Sequence, residues 1–199
     1  MPDELLDIVN DDDIVTGQNL RSVIHNNGFQ HRGVHVFLFT HDGRLLVQRR
    51  SKDRTASPSL LDCSISEHVR AGEDYLTAAI RGLKEELGLD SIDIQPIVTF
   101  KMNYGLNDNE ISRVFQGFVD PVKVQFDPVE LEAVYYFSWS DLLERMTADG
   151  IAFCTWFIQM VNWAIGRPSQ LGVLEFHNKL QYSFDVGLNG SNGPKMIFS

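Results

Sequence analysis

Two adjacent carboxylates, Glu85 and Glu86, lie near the end of a segment with helical periodicity, and a polar bend containing His68 and Glu73 precedes it. Carboxylate oxygens held on a rigid element are the ligands that Mg²⁺ and Mn²⁺ take beside phosphate groups. The same pattern is also typical of a surface helix whose charges are simply solvated. Because the bend adds further polar side chains next to the helix, we favour a cation site.

The segment that carries these glutamates is predicted to be an amphipathic helix that ends at Gly88. At about 100° per residue, Glu85 falls on the far side from the apolar residues and Glu86 falls on their flank. We expect one apolar stripe to face the core, formed by Leu76, Ile80, Leu83 and Leu87. The helix would then present its carboxylates on the more solvated face.

The spacing of this segment resembles the Nudix box, in which a glycine, a glutamate and then Arg-Glu-aliphatic-x-Glu-Glu-x-Gly-aliphatic follow at fixed intervals. The positions that match are Glu73, Arg81, Leu83, Glu85, Glu86, Gly88 and Leu89. This resemblance implies an α/β fold, the Nudix-type α/β/α sandwich with a mixed β-sheet. From its place in the box, Arg81 is expected to pair with Glu73 and to fix the bend, which is a structural role.

Two positions depart from the box. Glu67 stands where the family has glycine, and Gly82 stands where the family has the first glutamate of the helix, which helps to hold the metals. A glycine inside a helix also costs about 1 kcal/mol relative to alanine. Two interpretations stay open. Either the Glu67 side chain supplies the carboxylate that Gly82 lacks, or Glu67 points into solvent.

Residues 4–165 resemble the isopentenyl-diphosphate isomerase branch of the Nudix superfamily, and equally the poorly characterised bacterial Nudix hydrolases beside it. The motifs that carry this resemblance are Asp7-Ile8, Asp11-Asp12-Asp13, Arg21, His25, His31-Arg32, Gln48-Arg49-Arg50 and Trp139-Ser140-Asp141-Leu142. In the isomerase, a first metal is held by three histidines and two acidic residues. Matching those motifs to this sequence gives His25, His31, His68, Asp108 and Glu110, with Asp108 standing where the isomerase has glutamate.

The resemblance also implies that Glu86 binds a second ion, magnesium, together with the diphosphate of the substrate. Imidazole and carboxylate ligands together suit manganese, zinc or iron, whereas Glu85 and Glu86 alone suit magnesium. We therefore expect Mg²⁺ or Mn²⁺ as the cofactor at the glutamates, and in addition a transition metal at the histidines.

The isomerase moves a proton on and off carbon with a cysteine that lies just before the histidine of this loop. Ser66 occupies that position here, and Cys63 lies three residues earlier. A thiol titrates near pH ~8.5 and exchanges protons at neutral pH, which an unassisted hydroxyl does not. Three hypotheses follow: a metal-dependent hydrolase of a diphosphate-linked small molecule, an isomerase-like enzyme, and a non-catalytic diphosphate-binding protein. For the hydrolase, the predicted catalytic residues are Glu85, Glu86, Glu110 and Glu67.

A cluster of basic residues precedes the predicted metal loop in an otherwise acidic chain. Three of its members, Arg50, Lys52 and Arg54, are predicted to bind phosphate oxygens of the substrate, because guanidinium groups match such oxygens well. The alternative is a solvated strand end.

Length and composition fit one domain with extensions: residues 1–30 packed on the domain, a Nudix domain over 31–166, and a C-terminal extension over 167–199. The chain has 199 residues, two cysteines and a formal net charge of −10. The charge argues against a nucleic-acid partner, and two cysteines argue against a disulfide framework. No apolar run approaches the roughly 20 residues that a membrane span needs. We expect a cytoplasmic protein with a small-molecule diphosphate substrate. Nothing in the sequence indicates an oligomeric state.

The elements that must position these residues follow from periodicity and turn residues. Strands are predicted over 4–9, 34–40, 44–49, 94–104, 111–119 and 130–137, and helices over 19–25, 140–146 and 153–165. The turn at His41-Asp42-Gly43 predicts that the second and third of these strands form a hairpin. Trp156, Phe157 and Trp163 are predicted to be core residues, and residues 189–194 are predicted to be mobile.

Overall fold

A mixed β-sheet with helices on both faces organises the chain in a computed structural model that describes residues 3–180. The strands are β1 (Leu5–Val9), β2 (Val15–Leu20), β3 (His31–Phe39), β4 (Leu45–Arg50), β5 (Leu61–Asp62), β6 (Ile65–His68), β7 (Ile94–Asn103), β8 (Asn109–Phe118), β9 (Leu131–Phe137) and β10 (Gly172–Phe176). The α-helices are α1 (Arg21–Asn27), α2 (Tyr75–Leu87), α3 (Trp139–Ala148) and α4 (Thr155–Ala164). Single 3₁₀ turns lie at Pro121–Lys123 and Gly150–Ala152.

Strand β3 lies at the centre of the sheet. It pairs parallel with β8, with His31 opposite Glu110, and antiparallel with β6, with Gly33 opposite His68. These two registers place the start of β3, the start of β8 and the end of β6 side by side. The sheet is therefore mixed, as the sequence predicts.

The two faces of β3 contact different helices because its side chains alternate. Val34, Val36 and Leu38 pack in the core cluster that contains the buried residues of α2. Phe37 and Phe39 pack in the second cluster, which contains Phe157 and other residues of α4. This arrangement confirms the predicted α/β/α sandwich.

The buried face of α2 differs from the predicted stripe. Leu83 and Leu87 are buried as expected, but Leu76 and Ile80 are 45% and 42% exposed. Small residues at helical spacing, with Glu86, take their place on the core side: Ala78, Ala79, Gly82 and Glu86. Strands β6 and β3 lie close to α2, so only small side chains fit between the helix and the sheet. This explains why small residues are buried there in place of Leu76 and Ile80.

The sequence predicts that strands 34–40 and 44–49 form a hairpin. The structure has the turn between them, but the two strands do not pair along their length. β4 pairs with β3 only through Phe39 and Leu45 and then runs antiparallel to β9. The predicted strands over 4–9, 94–104, 111–119 and 130–137 are confirmed, as are the helices at both ends of the domain. Strands β2, β5, β6 and β10 were not predicted.

Of the three aromatics predicted to be core, Phe157 is fully buried, and Trp156 and Trp163 are half-buried against the same cluster. Within residues 3–180, no helix is both long enough and apolar enough to cross a bilayer. β10 lies in the predicted C-terminal extension and pairs with β7. The segment 189–194 lies outside the described residues, and the domain boundaries at 30 and 166 stay predictions.

Candidate metal centre

Three histidine rings converge at one end of β3. The ring centroid of His25 lies 4.8 Å from that of His31 and 5.3 Å from that of His68, and His31 and His68 are 5.2 Å apart. The Nε2 atoms of His25 and His68 face each other at 3.3 Å. One ring nitrogen of each histidine lies within 4.8 Å of one on the other two, a spacing that suits a shared metal ion.

Two carboxylates complete this cluster. Asp108 Oδ1 lies 3.3 Å from His25 Nδ1 and 4.0 Å from His31 Nε2. Glu110 Oε1 lies 3.6 Å from His31 Nε2 and 3.7 Å from His68 Nε2. The five residues that the isomerase resemblance points to are thus brought together from α1, β3, β6, β8 and the β7–β8 connection.

The cluster fits a metal ion because polar atoms inside it lack other partners. His31 Nδ1 donates to the Phe29 carbonyl oxygen at 3.1 Å, which directs Nε2 into the cluster. His31 Nε2 and Asp108 Oδ1 are both buried and have no hydrogen-bond partner within residues 3–180. Unpartnered buried acceptors are costly, and a bound cation would satisfy them.

The electrostatics of the metal-free cluster leave His25, His68 and Glu110 ready to bind a metal, whereas a metal would compete with a proton at His31. Burial opposes protonation of His31, but its interactions with Glu110 and Asp108 outweigh this and raise its pKa. Burial and the nearby charge of His31 lower the pKa of His25 to about 4, and burial lowers the pKa of His68 well below its usual range. Burial and the charge of Glu110 raise the pKa of Asp108 to about 6. Burial opposes ionisation of Glu110, but its interactions with His31 and His68 outweigh this and lower its pKa to about 2. At neutral pH, His25 and His68 therefore carry free lone pairs and Glu110 carries a charge.

Gly33 makes room for the Glu110 carboxylate. A β-carbon at Gly33 would lie 2.1 Å from Glu110 Oε2 and 2.9 Å from Ser112 Oγ. The carboxylate therefore rests against the bare backbone of β3, and any larger residue would push it away. No residue type or spacing around Gly33 in the sequence indicates this role.

A second polar cluster lies beside α2. Glu86 is 1% exposed, and its Oε1 accepts a hydrogen bond from Arg54 Nη2 at 2.9 Å. The same Arg54 nitrogen lies 3.0 Å from Glu130 Oε2 and 3.8 Å from Glu67 Oε1. Burial, together with the neighbouring Glu67 carboxylate, raises the pKa of Glu86 well above its usual range.

Gly82 lies directly beneath Glu67. A β-carbon at Gly82 would lie 2.7 Å from Ile65 Cγ2 and 3.0 Å from Glu67 Cγ. The space that a helix side chain would fill is thus taken by the side chain of Glu67. Glu67 is 13% exposed and does not point into open solvent.

Arg81 and Glu73 do pair. Arg81 Nε and Nη2 donate to the two carboxylate oxygens of Glu73 at 3.0 and 3.1 Å, and Nη2 also donates to the His68 carbonyl at 2.8 Å. Its Nη1 reaches Glu67 and Glu85, both at 3.2 Å. Arg81 therefore ties the bend before α2 to the end of β6, from which His68 projects.

Glu85, Arg50 and Lys52, three further predicted site residues, belong to neither of these two clusters. Glu85 is half-exposed, on the other side of α2 from Glu86, and contacts Arg70 and Arg81. Arg50 is buried and donates to Asp62 at 3.0 Å and to the Ala56 carbonyl, with its guanidinium over the Trp156 ring. Lys52 is exposed. Catalytic and phosphate-binding roles for these three residues stay predictions.

A buried hydrogen-bond chain reaches the metal cluster and was not predicted. Ser112 Oγ donates to Glu110 Oε2 at 2.8 Å and lies 3.0 Å from the Tyr104 hydroxyl. That hydroxyl lies 3.2 Å from His35 Nε2, and His35 Nδ1 lies 3.1 Å from Ser66 Oγ. An ionised Glu110 only accepts, so each donor in the chain points toward it. No local sequence pattern links these residues, because they come from three strands and the β7–β8 connection.

Comparison with known proteins agrees with the fold. A model of the NUDIX domain matches residues 29–157. The chain belongs to the Nudix family. It is 32% identical over 166 residues to a protein of Serratia proteamaculans named isopentenyl-diphosphate Delta-isomerase, covering 80% of this chain and 90% of that one.

Other relatives are named differently. An uncharacterised Nudix hydrolase of Streptomyces coelicolor is 36% identical over 122 residues, covering 61% of this chain and 65% of that one. Among solved structures, DR0079 from Deinococcus radiodurans is similar with a TM-score of 0.63 and 29% identity, covering 73% of this chain and 90% of that one.

Proposed function

We propose that this protein is a metal-dependent Nudix hydrolase that cleaves the diphosphate bond of a small molecule. The observation that carries the proposal is the convergence of three histidines and two carboxylates around unpartnered buried atoms, as a pre-formed metal centre requires. His25, His31, His68, Asp108 and Glu110 would hold one ion, and Glu67 and Glu86 would hold a second. A divalent ion there supplies Lewis-acid activation of a phosphoryl oxygen and of a bound water.

The residues of the chain contribute orientation and charge. Arg81 fixes the β6 end and thereby the direction of His68. Gly33 lets Glu110 sit against β3, and Ser112 holds its second oxygen. Exposed Lys52, on the connection between β4 and β5, supplies positive charge that attracts the substrate diphosphate, whereas Arg54 on the same connection is paired with Glu86 and Glu130. Hydrolysis breaks one P–O bond of the diphosphate: the hydroxyl of water bonds to phosphorus, and the other proton of that water goes to the departing phosphate oxygen or to solvent.

An isomerase-like activity is the second candidate, favoured by the complete five-residue metal cluster and by the relatives named isopentenyl-diphosphate isomerase. The position of the isomerase cysteine is Ser66. Cys63 does not replace it, because its thiol is fully buried and donates to the Ile65 carbonyl at 2.9 Å. Burial raises the pKa of Cys63 well above its usual range, which opposes proton exchange by the thiol.

A substrate panel tests the proposal. The purified protein is incubated with Mg²⁺ or Mn²⁺ and with nucleotide, sugar and isoprenoid diphosphates, and release of phosphate or monophosphate is measured. We expect metal-dependent release from at least one class, lost in Glu86→Gln and retained in Glu144→Gln, an exposed carboxylate on α3. Deuterium uptake from heavy water into an isoprenoid diphosphate, without phosphate release, would instead identify an isomerase. Ligand-induced thermal stabilisation without turnover would identify a non-catalytic binding protein.

A second measurement addresses the metal centre directly. We expect elemental analysis to find a transition metal in near-stoichiometric amount and to find it lost in His31→Ala. Less than about a tenth of an equivalent, even after growth with added metal, would contradict the histidine site.

A further inference from the structure

The Arg54 guanidinium lies at the centre of three carboxylates that come from three separate elements. Its Nη2 atom is 2.9 Å from Glu86 Oε1 of α2 and 3.0 Å from Glu130 Oε2, just before β9. It is 3.8 Å from Glu67 Oε1 of β6. All four side chains are largely removed from solvent, with exposures of 12% for Arg54, 1% for Glu86, 18% for Glu130 and 13% for Glu67.

This cluster contains more carboxyl groups than guanidinium groups. Arg54 faces three carboxylates, and Arg81, which also contacts Glu67, is itself shared with Glu73 and Glu85. One monovalent cation is therefore a poor match for the site. Low exposure makes such an imbalance costly, because little water screens it.

An unpartnered atom points to a missing ligand at the same place. Only 1% of Glu86 is exposed, and its Oε2 has no hydrogen-bond partner in the described part of the chain. A buried carboxylate oxygen without a partner carries a desolvation cost that a cation would remove. Three carboxylates with no nitrogen or sulfur donor suit a hard divalent ion such as Mg²⁺ or Mn²⁺.

We propose that Glu67, Glu86 and Glu130 form a divalent-cation site that the Arg54 guanidinium fills in the metal-free protein, and that the arriving cation displaces Arg54. This rests on the proposed function, which places a second ion at Glu67 and Glu86. What it adds is Glu130 as a third ligand and Arg54 as the competitor. A divalent ion brings twice the charge of the guanidinium, so the exchange leaves the three carboxylates better compensated.

The displaced guanidinium has a defined second use. Arg54 is carried by the connection between β4 and β5, which also carries Lys52, and the Ser51 amide at its start donates to the Glu130 carbonyl at 2.9 Å. The connection is therefore anchored beside the site, and a released Arg54 stays close to the cation. There it can pair with an anionic group bound to that cation. Binding of the cation would therefore also release Arg54, so that its guanidinium becomes available to bind a phosphate group.

The competition between Arg54 and a divalent cation is measured by titration with Mn²⁺. One equivalent of Co²⁺ is added first to fill the histidine site, and electron paramagnetic resonance then reports the concentration of free Mn²⁺ during the titration. Removing the competing charge in Arg54→Gln is expected to tighten Mn²⁺ binding by about tenfold, within the usual range of coupling between two ligands. Glu130→Gln is expected to weaken it by about tenfold, because a charged ligand is lost. Glu132→Gln is the matched control, since Glu132 is also near the start of β9 but pairs with Arg49, and it should bind Mn²⁺ as the wild type does. Unchanged affinity in either Arg54→Gln or Glu130→Gln would overturn the proposal.

Displacement is measured on the wild-type protein, so that no variant has to fold. Phenylglyoxal modifies accessible guanidinium groups, and mass spectrometry of the digest gives the rate at each arginine. We expect Mn²⁺ to accelerate labelling of Arg54 several-fold and to leave Arg81, which stays paired with Glu73, unchanged. An Arg54 rate that does not respond to Mn²⁺ refutes the exchange. If Arg54 competes with Mn²⁺ but no substrate is hydrolysed, the exchange inferred here stands and the hydrolase proposal is refuted. If a substrate is hydrolysed but Arg54→Gln and Glu130→Gln bind Mn²⁺ as the wild type does, the hydrolase proposal stands and the exchange is refuted.

Discussion

The side chain of Glu67 occupies the space above the α-carbon of Gly82, such that a β-carbon there would meet Glu67 Cγ at 3.0 Å. These are the two positions at which the sequence departs from the Nudix box. Gly82 offers no carboxylate on the helix, and the Glu67 side chain from β6, which carries one, fills the space beside it. The geometry supports the interpretation that the two departures compensate each other.

A swap of the two residues tests this compensation. Glu67→Gly is expected to weaken Mn²⁺ binding at the carboxylate cluster by about tenfold, because a charged ligand is removed. Gly82→Glu alone is expected to destabilise the fold, since its side chain would collide with Ile65 and Glu67. The double variant should recover most of the lost Mn²⁺ affinity, with thermal melting used to check that it is folded. A folded double variant that binds no better than Glu67→Gly would show that Glu67 does not replace the missing glutamate.

Gly33 provides a test of the histidine centre. Gly33→Ala is expected to lower metal occupancy at the histidines by about tenfold or more, because the new methyl group displaces the Glu110 carboxylate from its place on β3. Elemental analysis of the purified variant measures the effect. Gly150→Ala is the control, since a β-carbon there would meet nothing within 4 Å. Full occupancy in Gly33→Ala would mean that Glu110 is not held as a ligand.

Arg81 is expected to stabilise the bend and β6 rather than to react. Arg81→Met should lower the free energy of unfolding by about 2–3 kcal/mol, because Glu67 and Glu73, which are 13% and 19% exposed, would lose their guanidinium partner. Urea denaturation followed by circular dichroism measures this loss. Arg49→Met, which removes a more exposed ion pair with Glu132, should change stability little. Equal effects of the two substitutions would contradict a special role for Arg81.

His35 makes folding stability depend on pH. It is 3% exposed, and burial lowers its pKa below the usual 6.5. As pH falls below 6.5, the imidazole of the unfolded chain takes up a proton while the buried one stays neutral, so acid stabilises the unfolded state. The free energy of unfolding of metal-free protein should therefore fall more steeply between pH 7 and 5 in the wild type than in His35→Gln, by up to about 1.4 kcal/mol per pH unit. Identical slopes would show that His35 carries a proton in the folded protein.

Much of the site could be predicted from the sequence where the relevant information is local. Asp74 accepts a hydrogen bond from the Thr77 amide at the start of α2, and Gly88 adopts φ +68° at its end, so both limits of the helix lie in the sequence around them. The identity of the metal-cluster residues followed from a resemblance over most of the chain, and the structure brings all five together.

Other features needed the fold. Periodicity placed Leu76 and Ile80 on the buried side of α2, whereas the structure buries Glu86 and exposes both. The reason is that a helix with several apolar positions has more than one face that could be buried, and the surface it packs against decides between them. Here that surface is the close approach of β6 and β3, which admits Ala78, Ala79 and Gly82.

The sequence by itself determined that the chain is a Nudix-type α/β protein, that α2 exists with its present ends, and that histidines and carboxylates are available for cations. Only the tertiary structure decided that Arg54 and Glu130 meet Glu86, and that His35 is linked through Tyr104 and Ser112 to Glu110. Helix limits depend on hydrogen bonds between residues a few positions apart, which neighbours in the sequence dictate. The contacts of Arg54 and Glu130 with Glu86, and of His35 with Tyr104, depend instead on pairings between strands that are tens of residues apart in the sequence. The registers of those pairings follow from packing of the whole core.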